Sequence, residues 1–78
     1  MDARVLFLVR VAEGRQRDVL RLALMLEAVQ HGATSGTREL LLLGWAKDAG
    51  LVGRAARHLA DLEGVESVTC TGTAPLSA

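Results

Sequence analysis

The chain has 78 residues, half of them apolar, enough for one domain with a modest core and no more. Nine basic and nine acidic residues cancel, which argues against the basic excess of a direct nucleic-acid binder. Cys70 is the single cysteine, so an internal disulfide and a Cys-rich metal site are excluded and a reducing, cytoplasmic setting is expected.

The longest apolar run, Leu40 to Ala46 counting Gly44, is far short of the ~20 residues of a membrane span. Met1-Asp2-Ala3-Arg4 followed by Val5 to Val9 is too short for a signal peptide and lacks its flanks. The domain is expected to occupy the whole chain, 1–78, with a core of about 4–71.

Val5 to Val11 reads as the first strand, from its length and β-branched content. Val5, Phe7, Val9 and Val11 point one way, Leu6 and Leu8 the other, so both faces need cover. Glu13-Gly14 then breaks the chain. A helix is expected over Gln16 to Leu26, with Val19, Leu22, Ala23 and Leu26 on one stripe that Leu20 and Leu24 widen. Val29 to Ser35 and Glu39 to Ala46 read as the arms of a hairpin around the turn Thr34-Ser35-Gly36-Thr37. The second arm is again apolar on both faces, with Leu41, Leu43 and Trp45 against Leu40, Leu42 and Ala46.

Asp48 is the expected N-cap of a second helix, with Leu51, Val52, Ala55, Leu59 and Leu62 on its inner face. Arg54, Arg57, His58 and Asp61 fall mostly on its outer side. Gly64 is placed for a left-handed cap. Val65 to Thr71 is the last expected strand, and Gly72 to Ala78 is expected as a loose tail. The order is βαββαβ: a ferredoxin-like α+β fold, a four-stranded antiparallel sheet with two helices on one face. The other face keeps large aliphatics, an aggregation hazard for a monomer, so it is expected to pair with a second copy as a dimeric α+β barrel.

Val9 to Leu20, the hairpin Thr34-Ser35-Gly36-Thr37-Arg38-Glu39-Leu40-Leu41-Leu42, and Leu59 to Val68 with Leu62-Glu63-Gly64-Val65 at its centre resemble one family. It is the effector-binding (RAM) domain of the leucine-responsive/asparagine regulators, Lrp/AsnC. The resemblance spans Val5 to Thr71, in the stand-alone form of the domain without a helix-turn-helix. Glu39 stands where that family usually has Asp, and Ser35 intrudes between Thr34 and Gly36.

The resemblance implies homodimers that assemble further, and an amino-acid effector bound near the hairpin. The residues it points to are Ser35, Gly36, Thr37 and Glu39. It also implies a full-length Lrp/AsnC-type regulator as a partner. The competing reading is an ACT-type regulatory domain of an amino-acid biosynthetic enzyme, which has the same element order; Ala12-Glu13-Gly14 lacks the Pro-Gly or Asp usual after the first ACT strand.

The remaining chemistry-bearing residues have plainer readings. Arg15, Arg17 and Arg21 are expected on a solvated helix face. His31 and His58 lack ligand neighbours at metal spacing, so neither metal nor cofactor is expected. Cys70 is expected to be small and buried, and Trp45 to pack in a core or dimer face. No Ser-His-Asp arrangement, Cys-His arrangement or phosphate loop is present, and an enzyme is not expected.

Overall fold

The computed structural model describes residues 3–47 and 49–75, without the side chains of residues 3, 46, 49 and 71–75. Six elements follow in order: β1 (Ala3–Val11), α1 (Gln16–Ala23), β2 (Val29–Ser35), β3 (Glu39–Ala46), α2 (Ala49–Ala60) and β4 (Val65–Pro75). They form one antiparallel sheet in the order β2-β3-β1-β4. The two doubly apolar strands, β1 and β3, are the central ones, where both neighbours are strands and both faces offer packing.

Alternation decides which side chains meet the helices. Val5, Phe7, Val9 and Val11 of β1 are buried, with Leu40 and Leu42 of β3 beside them. The helices contribute Val19 and Ala23 from α1, and Ala55 and Leu59 from α2. Phe7 pairs with Leu42 and Val9 with Leu40, so the largest core side chains form adjacent rungs on one face. Gly64 ends the second helical segment at φ +95° and its carbonyl accepts from Ala12 N–H at 2.8 Å.

Three expectations change. The helix α1 stops at Ala23 rather than Leu26. Met25 N–H and Leu26 N–H donate three residues back, to Leu22 and Ala23, which tightens the chain into turns. Leu26 still reaches the core, but Leu22, Leu24 and Met25 are exposed.

The strand β4 continues to Pro75, so Gly72 to Pro75 is not a tail. Thr73, Ala74 and Pro75 pair with Val5, Arg4 and Ala3, and a register shift skips Gly72. The longer β1 offers this ladder, and a proline is tolerated on an edge strand. Residues 76–78 of the expected tail, and the expected cap Asp48, lie outside the described residues.

Cys70 is exposed, not buried, because β4 is an edge strand flanked by a neighbour on one side only. Arg17 and Arg21 are exposed, as expected of a solvated face, and Arg15 at the start of α1 meets Glu63 at 3.3 Å in a solvent-exposed pair.

Candidate functional site

Three surfaces are candidates, at the turn, on the open sheet face and at the far end of β3. The first is the β2–β3 hairpin, where Ser35 faces Glu39 across the loop Gly36-Thr37-Arg38. Gly36 has φ +66°, a left-handed conformation that glycine adopts without strain.

The turn is anchored from behind. Gln16 Nε2 donates to the carbonyls of Gly36 at 3.1 Å and Glu39 at 2.8 Å. Arg38 ties it to the neighbouring strands: Val11 N–H donates to Arg38 O at 2.8 Å, and Arg38 Nη2 meets Glu66 at 2.8 Å. Thus Ser35, Gly36, Thr37 and Glu39 sit together on one turn held by hydrogen bonds to neighbouring elements. Thr37 and Gly36 are exposed, Ser35 and Glu39 half-buried.

The second is the sheet face opposite the helices. Leu6 pairs with Leu43 and Leu8 with Leu41, giving an apolar centre on β1 and β3. Arg10 beside Glu39 closes the hairpin end, and Arg4 beside Trp45 closes the other. His31 and Ser35 on β2, and Ser67 and Thr69 on β4, edge the same face. Leu6 and Trp45 each keep 37% of their surface exposed. An apolar centre within a polar rim is the anatomy of a protein interface.

The third is a groove of about 520 Å³ at the end of β3 away from the hairpin. Its cause is local. Gly44 has no side chain, and a Cβ there would collide with the Ala28 carbonyl oxygen. The turn after α1 therefore lies directly on β3, where Trp45 N–H donates to Ala28 O at 3.1 Å. Leu26 and Ala28 form one wall; Leu51 and Ala55 of α2 form the facing wall.

Lys47, Arg54 and His58 stand around it, with Glu27 and Trp45 at the α1 side and strand end. None of the hairpin residues lines it. Sequence reading set Arg54 and His58 aside as outer-face residues. The signal that finds them is the stripe Leu51, Arg54, Ala55, His58, at spacings of three, one and three residues, which mixes apolar and cationic side chains on one helical face.

No group of His, Cys, Asp and Glu able to hold a metal occurs among the described residues. No described helix is long and apolar enough to cross a membrane.

No family model matches the chain, and no curated protein matches it significantly. Solved structures do. The Tat proofreading chaperone NapD of E. coli superposes with TM-score 0.81 at 16% identity, covering 91% of this chain and 76% of that one. TTHA0845 from Thermus thermophilus gives TM-score 0.82 at 22% identity, with 92% and 91% covered. The hypothetical protein PHS023 from Pyrococcus horikoshii gives 0.80 at 15% identity, with 97% and 92% covered. At these identities the likeness establishes the ferredoxin-like fold of the chain.

Proposed function

We propose that this chain is a self-associating regulatory module of the cytoplasm, built like the effector-binding domain of Lrp/AsnC regulators and responsive to an amino acid. The observation that carries the reading is the uncovered apolar sheet face. Four strands about 4.8 Å apart, each contributing about seven residues at ~3.3 Å, make a face on the order of 19 by 23 Å. Pairing two such faces buries on the order of 1,000 Å² in total, at the threshold of a specific interface. The rim suits a two-fold partner: Arg10 and Glu39 lie side by side, so a second copy can set its Glu39 against Arg10 and the reverse.

In such an assembly the hairpin projects at the end of the paired sheets. The Glu39 carboxylate would take an α-ammonium group, and the N–H groups of the turn around Gly36 would take a carboxylate. A full-length regulator with the same domain would co-assemble through the same face, and transcription would be affected through that partner. No catalytic step is assigned.

The test is light scattering on the purified chain, with thermal-shift screening against the common amino acids. A mass well above 8.3 kDa and a stabilising amino acid are expected. A stable monomer at micromolar concentration overturns the assembly. Gly36→Trp is expected to abolish the amino-acid response without unfolding the chain: nothing lies within 4 Å of a Cβ there, and the left-handed φ of +66° costs a non-glycine residue only about 1–2 kcal/mol.

The likeness to NapD favours a second reading, a chaperone that holds an apolar segment of a client on the same open face. A monomer that binds apolar peptides and no amino acid would select it. Co-purification with a biosynthetic catalytic subunit would instead select an ACT-type role.

A further inference from the structure

The groove between the α1–β2 turn and α2 is used by neither reading. It is concave, and its volume of about 520 Å³ lies within the roughly 300–1,000 Å³ of small-molecule sites. Its walls are aliphatic: Leu26 and Leu51, both packed against the core, with buried Ala55.

Its rim is basic in a chain whose charges cancel overall. Lys47 lies just after β3, and Arg54 and His58 lie one turn apart on α2. The ion pairs among the described residues engage Arg15 and Arg38 instead, so Lys47 and Arg54 carry no counter-charge there. Glu27 is the one carboxylate among the described residues that line the groove.

We propose that this groove binds small carboxylates with an apolar body. The carboxylate sits at Lys47 and Arg54, with His58 alongside, where charge-assisted hydrogen bonds hold it. The body lies on Leu26, Leu51 and Ala55. An ammonium group beside the carboxylate would meet Glu27, so free acids and apolar amino acids share the recognition chemistry and differ at that contact. The site is separate from the hairpin and does not require the sheet-face assembly.

The experiment is amide chemical-shift mapping by NMR on the whole chain, with isocaproate, leucine and isoamylamine titrated through the millimolar range. Isocaproate is expected to shift amides in 26–28, 45–47 and 51–58, and isoamylamine alone to leave them in place. Leucine shifting the same amides supports the shared carboxylate site. A leucine preference that Glu27→Gln removes assigns Glu27 to the ammonium.

Lys47→Gln with Arg54→Gln is expected to weaken isocaproate binding about tenfold or more. Both side chains are exposed, so the fold is expected to survive, as circular dichroism checks. Arg57→Gln, on the same helix outside the groove, is expected to bind normally and serves as a second variant. No shift with isocaproate, undiminished binding in the folded double variant, or shifts confined to 35–39 would overturn the assignment. Light scattering on the same samples reads self-association separately. A dimer that binds no carboxylate refutes the groove alone, and a monomer that binds one refutes the sheet pairing alone.

Discussion

Replacing Leu6 by Glu tests the open face most directly. Leu6 alternates away from the core residues Val5 and Phe7, and 37% of its surface remains exposed in the single chain. Full burial of a leucine contributes about 1.5–3 kcal/mol, so covering the exposed share contributes roughly 0.6–1.1 kcal/mol per copy. A two-fold interface counts each position twice, which makes about 1–2 kcal/mol, or roughly 6- to 40-fold in dimer dissociation constant. The carboxylate of Glu adds a desolvation cost on top of that loss.

Analytical ultracentrifugation across a concentration series is the assay, with the thermal midpoint measured at a concentration where both proteins are monomeric. Leu6→Glu is expected to shift the dissociation curve by at least the tenfold order while leaving the monomer's midpoint nearly unchanged. An unshifted curve refutes the pairing through this face. A collapse of the monomer's midpoint refutes the assignment of Leu6 to the outside of the core.

Three further predictions concern the fold that holds these surfaces. Gly44→Ala drives a methyl group into the backbone carbonyl of Ala28; overpacking of this kind costs about 1–3 kcal/mol, which urea denaturation would read, and it should also perturb the groove that this contact shapes. Gly53→Ala is the opposite case: the position is inside α2 with nothing within 4 Å of a Cβ, so a gain of about 0.5–1 kcal/mol is expected, and destabilisation would mean that the outer side of α2 is covered. Gln16→Ala removes the two hydrogen bonds that Gln16 donates to the turn; a loss of about 1–2 kcal/mol and faster amide exchange confined to 35–39 are expected, and unchanged exchange would show that the Arg38 contacts hold the turn by themselves.

Much of this protein is written in local pattern. The alternation of Val5, Phe7, Val9 and Val11 with Leu6 and Leu8 assigns each side chain of β1 to a sheet face before any partner is known, because successive residues of a strand point to opposite sides. The same holds for Leu40 and Leu42 against Leu41 and Leu43. Gly36 and Gly64 announced the turn and the helix end, since both positions take positive φ. From these come the βαββαβ order and the open face that motivates a partner; the central place of β1 and β3 came with the sheet order.

What depends on residues far apart in the chain was decided only by the tertiary structure. Gln16 reaches the hairpin from a helix distant in the chain, so the anchoring of Ser35, Gly36, Thr37 and Glu39 has no trace in their own segment. The extension of β4 to Pro75 rests on the ladder that β1 offers it, and the exposure of Cys70 on its place at the sheet edge. The groove exists because Gly44 admits the carbonyl of Ala28, which brings the turn after α1 opposite Arg54 and His58. Periodicity records which face a residue takes on its own element; it carries no record of which distant element will stand across from that face.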